Sequence, residues 1–206
     1  MTVQRFVETA AAIPPAEWLA VMLALGYLVL AVRQHIACWA FAALSSGVFL
    51  WLFARAGLPM QAALQAFYIA MAVYGWYSWR GRFAAAQSSR RVVRWPPSWH
   101  LRAVLAVVLV AAANGWLMRS RAAGAVPYVD ALVAWGSVFT TWMMARKLLE
   151  NWLYWIVLDL LAAGLYWSQG LYATAILFLL YSAIAVQGFR SWRASMAAPS
   201  PRQATA

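Results

Sequence analysis

Four residues within a nine-residue stretch, Asn151, Trp152, Trp155 and Asp159, bring together an amide, two indoles and a carboxylate. On a helix Trp152, Trp155 and Asp159 fall at i, i+3 and i+7 and share one face. At the helical rise Asp159 lies about 12 Å beyond Asn151. The result is a wall of aromatic planes above a deep carboxylate, suited to holding a ligand. The acid also raises a question, because its surroundings, ENWLYWIVLDLLAAGLYW (150–167), are apolar enough to lie in lipid. A carboxylate there costs about 2.5–3.5 kcal/mol or more. Two readings account for it: contact with a ligand, or a hydrogen bond to a buried indole N–H or tyrosine hydroxyl that holds helices together. Catalysis is not indicated. Five acids, two histidines and one cysteine leave no nucleophile–base pair and no metal cluster.

The elements that position this wall follow from composition. The chain has 206 residues, 66% of them hydrophobic and 10% charged. Soluble domains are nearer half apolar and a quarter charged, so an integral membrane protein is expected. Apolar runs at 17–32, 36–54, 60–79, 101–118, 127–145, 152–168 and 171–189 predict seven transmembrane helices. A bilayer demands internal backbone hydrogen bonding, and these runs have helical rather than barrel length. The N-terminal segment lacks the layout of a cleaved signal peptide, so the first run is expected to remain as a helix. Cys38 is alone, which excludes an intrachain disulfide.

The net charge of +11 does not point to nucleic acid, because the basic residues lie between apolar runs. Seven spans place Arg33, Arg80, Arg82, Arg90, Arg91, Arg94, Arg102, Arg146, Lys147, Arg190, Arg193 and Arg202 on one side, twelve residues in all. Arg5, Arg55, Arg119 and Arg121, four residues, fall on the other. The positive-inside rule then predicts an external N-terminus and a cytoplasmic C-terminus.

Laid over itself at an offset of 113 residues, the chain matches without gaps: YIAMAVYGWYSWR (68–80) lies over YSAIAVQGFRSWR (181–193). The same offset pairs Arg33 with Arg146, Trp39 with Trp152, and Gly57 with Gly170. The expected organisation is a three-helix repeat at 17–79, a basic cytoplasmic loop and linker helix at 80–126, a second repeat at 127–193 and a tail at 194–206. A 3+1+3 parallel repeat is a transporter architecture, with its substrate site near the midplane between the halves. A binding site for an asymmetric ligand needs residues in which the halves differ. Asn151 pairs with Cys38, Trp155 with Ala42 and Asp159 with Ser46; in the other direction Gln65 pairs with Phe178 and Trp76 with Phe189. These divergent positions are the candidate site. Trp79, Trp95, Trp99 and Trp192 are expected in the interfacial aromatic belt.

The run ARKLLENWLYWIVLDLLAAGLYWSQGLYATAILFLLY, together with LQAFYIAMAVYGWYSWR, resembles the PnuC transporters of bacterial vitamin uptake. The resemblance extends from Glu17 to Arg193 and is weakest between Arg82 and Val126. It implies a seven-helix 3+1+3 fold arranged like the SWEET sugar transporters, assembled as a homotrimer in the bacterial inner membrane. It also implies uptake of nicotinamide riboside by facilitated diffusion, without cofactor, with a cytoplasmic vitamin kinase trapping the product. Relatives with thiamine or riboflavin as cargo leave those alternatives open. Asn151, Trp152 and Trp155 carry over as substrate-binding residues, with Gln65 and Tyr68 of the Q-x-x-Y element beside them.

The chemistry agrees with this resemblance. The pyridinium of nicotinamide riboside and the charged ring of thiamine are flat cations, attracted to indole faces by about 1–2 kcal/mol each when desolvated. Asp159 supplies counter-charge, and the Asn151 and Gln65 amides suit hydroxyls or a carboxamide. Neutral riboflavin leaves the acid without a role. A retinal protein is excluded in practice by Lys147, the only lysine, which sits at a span end. No phosphate-binding loop is present to drive transport by nucleotide hydrolysis. A non-transporting scaffold is the remaining rival.

Overall fold

A computed structural model of the protein describes residues 15–55, 57, 59–80, 92–119, 126–170 and 172–197. Among these are seven helices: α1 Pro15–Val32, α2 Cys38–Arg55, α3 Pro59–Trp79, α4 Pro97–Met118, α5 Val126–Ala145, α6 Asn151–Ser168 and α7 Tyr172–Ala197. The fold is all-helical. Three of the helices are long and apolar enough to cross a bilayer by length and composition: Cys38–Arg55, Pro97–Met118 and the stretch Thr174–Ala197. The spans read from the sequence agree with these boundaries to within a few residues, with one exception. The last helix runs to Ala197, eight residues past the apolar run that ends at 189. Hydropathy falls at Arg190, but Trp192 packs into the protein and keeps the backbone helical. The basic residues Arg5, Arg82, Arg90, Arg91, Arg121 and Arg202 lie outside the described residues.

The chain forms two compact units, residues 1–80 and 81–206. In the first, α1 packs on α2 and α2 on α3; in the second, α4 packs on α5, α5 on α6 and α6 on α7. The linker helix α4 thus belongs with the second unit. It presents Trp99, Leu101, Leu105, Leu109, Trp116 and Leu117 outward, as a lipid-facing helix would. Proline opens α4 at Pro97, where an N–H would have no helical partner.

Local features recur in the two units at the 113-residue offset found in the sequence. Gln34 after α1 and Lys147 after α5 both take left-handed backbone, with φ of 55° and 54°. Gly57 after α2 and Gly170 after α6 do the same, with φ of 71° and 77°. Glycine suits such turns because it has no Cβ to clash. The two helix ends that any residue must reverse are therefore built alike in both units.

The aromatic cores match as well. Trp39 meets Trp79 edge to face at 5.4 Å and 86°, and Trp152 meets Trp192 at 5.4 Å and 88°. A Cβ on Gly75 would collide with the Trp39 ring, and one on Gly188 would come within 2.6 Å of Trp152. In each unit a bare glycine on the third helix of the triplet lets a tryptophan from the second lie flat against its backbone. This corrects the expectation of an interfacial belt for two residues: Trp79 is 6% exposed and Trp192 fully buried. Trp99 is half exposed.

Candidate substrate site

The start of α6 is fixed by polar contacts that its own capping position does not provide. Glu150, just before the helix, makes no side-chain cap. Its buried carboxylate instead accepts from Arg94 Nε at 3.0 Å and from the Trp95 backbone N–H at 3.3 Å. Val93 pairs beside them: its N–H donates to the Lys147 carbonyl at 3.0 Å, and its carbonyl accepts from the Leu149 N–H at 2.9 Å. The segment Val92–Pro96 is thus strapped across the α5–α6 connection. Under the strap Trp95, His100, Phe139, Trp142 and Tyr154 stack together, and His100 Nδ1 lies 3.0 Å from the Tyr154 hydroxyl. His100 is therefore packed into this cluster and not free in solvent.

Along α6 the four candidate residues take different environments. Asn151 is fully buried; its Nδ2 donates to the Leu148 carbonyl at 2.6 Å, while its Oδ1 has no partner among the described residues. Trp152 is fully buried in the glycine-backed core, so its ring is not a free stacking surface, yet its indole N–H is unpartnered among the described residues. Trp155, one turn on, is only partly buried and makes no ring pair or hydrogen bond among the described residues. Asp159 is 5% exposed and makes no hydrogen bond or ion pair there; Tyr181 of α7 is within electrostatic reach. The hydrogen-bonded role for Asp159 as a link between helices thus finds no partner in this unit.

In the first unit Gln65 and Tyr68 lie one turn apart on α3, both partly buried, with Phe67 and Tyr68 in edge contact at 5.7 Å. Trp76 is on the same face but about 16 Å further along the helix. There it lies under the Arg80 guanidinium, 5.7 Å from the ring centre. The structure therefore groups Asn151, Trp152, Trp155 and Asp159 on one wall of α6 and Gln65 with Tyr68 on α3, and sets Trp76 apart at a basic helix end.

Two nearby residues escaped the reading of the sequence as site residues: Tyr181, beside Asp159, and Thr140, buried on α5 with an unpartnered hydroxyl. A signal for Tyr181 was present, since the 113-residue offset pairs it with Tyr68 of the Q-x-x-Y element. No group of three or more metal-binding side chains occurs among the described residues.

Apolar helices, a duplicated packing core and a polar-aromatic wall on one helix suit a membrane protein. Residues 14–194 match the family model described as nicotinamide mononucleotide transporter, and the chain belongs to that family. It is 26% identical over 188 residues to the nicotinamide riboside transporter PnuC of Escherichia coli, covering 79% of this chain and 78% of the relative. It is 30% identical over 141 residues to the riboflavin/roseoflavin transporter RibM of Streptomyces davaonensis, covering 66% of this chain and 64% of that one. In fold it resembles the crystal structure of the vitamin B3 transporter PnuC, with a TM-score of 0.69 at 17% identity over 94% of this chain and 87% of the other. The family and its structural neighbour are transporters, not enzymes.

Proposed function

We propose that the protein imports nicotinamide riboside by facilitated diffusion, with intracellular phosphorylation trapping the product. The observation that carries this reading is the pair formed by Trp155 and Asp159: among the described residues, an indole without a ring pair one turn before a buried carboxylate without a hydrogen bond. A flat cation satisfies both: the ring stacks on Trp155, and its charge offsets the burial of Asp159. Gln65 and Tyr68, on α3 of the first unit, are proposed as further substrate-binding residues. Asp159 stands alone as a membrane acid in its helix, which favours uncoupled transport over a proton relay. The 113-residue repeat supports a 3+1+3 parallel arrangement of the helices, SWEET-like in kind. The assembly is a homotrimer in the bacterial inner membrane with the N-terminus outside, an orientation supported by the twelve-to-four division of basic residues.

The match to a riboflavin/roseoflavin transporter keeps riboflavin as the second reading. Thiamine, also a cation, differs from nicotinamide riboside only in how the amides would be used. Purified protein in liposomes, offered each labelled vitamin in turn, separates them. Uptake of nicotinamide riboside that equilibrates and ignores a protonophore supports the proposal; uptake of riboflavin alone, or none at all, overturns it.

A further inference from the structure

Besides His100 Nε2 in the aromatic cluster, three buried polar atoms of the second unit have no hydrogen-bond partner among the described residues: Thr140 Oγ1, Asn151 Oδ1 and Trp152 Nε1. All three side chains are fully buried. Burying such groups unpaired is unfavourable, so proteins rarely do it without a reason. Thr140 is the more telling because its neighbour Thr141 takes the ordinary solution, donating to the Ser137 carbonyl at 2.7 Å.

The first unit shows what the same place looks like when filled. At the 113-residue offset Thr140, Asn151 and Trp152 correspond to Tyr27, Cys38 and Trp39. There the Tyr27 ring leans on Trp39 with centroids 6.2 Å apart. The Trp39 N–H is unpartnered among the described residues, as the Trp152 N–H is, so the hydroxyl of Thr140 and the amide of Asn151 are what the second unit adds. In the second unit the aromatic ring has become a threonine and the thiol an amide, so bulk against the tryptophan is replaced by hydrogen-bonding capacity. Position 140 is five residues, about 7.5 Å, before the end of α5, level with the first turns of the antiparallel α6.

We infer that Thr140 is a specificity-determining residue and that Thr140, Asn151 and the Trp152 N–H together form a subsite for the hydroxyls of the cargo's sugar. This rests on the reading of the protein as a carrier of a ribosylated cationic ring. An amide oxygen accepts, an indole N–H donates, and a threonine hydroxyl does either. That set matches a vicinal diol, whose two hydroxyls each donate and accept. The ring belongs deeper, beside Trp155 and Asp159, and the sugar about one turn nearer the start of α6.

The test compares nicotinamide riboside with N-methylnicotinamide, the same cationic ring without the sugar, on the purified full-length protein. Thr140→Val keeps the shape and removes the hydroxyl. It should weaken nicotinamide riboside about tenfold and leave N-methylnicotinamide within about twofold. It should also leave unchanged or raise the melting temperature of the ligand-free protein, because an unpaired hydroxyl is removed from the interior. Thr140→Ser should keep most of the affinity for the riboside. Equal losses for the two ligands, an unchanged riboside affinity, or a variant that melts earlier or fails to fold would each overturn the inference. A wild-type protein that binds neither ligand overturns the transport reading and this inference with it; one that binds both, with Thr140→Val unaffected, overturns this inference alone.

Discussion

Around Trp39 and around Trp152 the two units build the same small structure: a buried indole flat on a glycine, met edge to face by a second indole at 5.4 Å. One turn further along the helix they part. The first unit has Ala42 and Ser46 where the second has Trp155 and Asp159, and Cys38 where the second has Asn151. What recurs is scaffold, because close packing at a membrane helix interface depends on small residues and shape. What differs is chemistry. On the proposed reading, ring recognition falls to Trp155, whose counterpart is Ala42, and not to Trp152, whose counterpart Trp39 sits in the same surroundings down to an indole N–H unpartnered among the described residues.

If the glycine-backed cores are scaffold in both units, breaking either should have the largest effect of any substitution considered. Gly188→Ala places a methyl within 2.6 Å of the Trp152 ring, and Gly75→Ala does the same to Trp39. Overpacking of this kind costs about 1–3 kcal/mol, so both variants should extract poorly and melt early. A thermal-shift series on detergent-solubilised protein checks this. If Gly188→Ala alone were damaging, the two cores would not be equivalent.

Next in size is Trp155. Trp155→Ala should weaken the cationic vitamin by about tenfold or more while leaving the melting temperature near wild type, since the ring is partly exposed and makes no ring pair among the described residues. Trp192→Ala should do the opposite and lower stability, because Trp192 is buried against Trp152. Equal effects of the two substitutions on binding would erase the distinction between scaffold and site.

These contrasts also mark what could be read from the sequence. Seven apolar runs fixed the helices to within a few residues because lipid imposes length and apolarity together. The last turns of α7 were missed for the same reason: Arg190 stops a hydropathy run, while Trp192 beyond it packs inside and the helix continues through it. A tryptophan near a span end reads equally as belt or core; Trp79 and Trp192 are core because each meets the edge or face of a second indole, Trp39 or Trp152, that a glycine lets lie close against its helix. The divergent wall on α6 was legible from the repeat. Thr140 was not, because a small hydroxyl residue in a membrane helix has an ordinary packing role until its hydroxyl is found without a bond.

A smaller effect is expected at Asp159, read as a ratio. Asp159→Asn keeps shape and hydrogen-bonding capacity but removes the charge. Affinity for nicotinamide riboside should fall about fivefold, close to 1 kcal/mol, while the neutral reduced riboside loses much less. If Asp159 only joins helices, both ligands respond together and the ratio of their dissociation constants does not move. That result would leave recognition to Trp155 and the amides.

The smallest effect belongs to a contact that the first unit cannot repeat. Glu150 corresponds to Ala37 at the 113-residue offset, so the carboxylate that holds the strap from Val92 to Pro96 has no equivalent there. Its ion pair joins a buried carboxylate to an Arg94 side chain that is 69% exposed. Solvent screens such a pair, and Arg94→Ala should cost at most about 1 kcal/mol of stability, less at high salt. Glu150 keeps its second bond, to the Trp95 N–H, and the backbone pairing of Val93 with Lys147 and Leu149 stays intact. The start of α6 should therefore hold its place, and nicotinamide riboside affinity should remain within about twofold of wild type. Binding titrations beside thermal shifts, at low and high salt, decide the point. A loss of affinity as large as that of Trp155→Ala would mean that Asn151 depends on the strap for its position. The difference between the units would then begin in the loop before α6, and the wall on the helix would be its consequence.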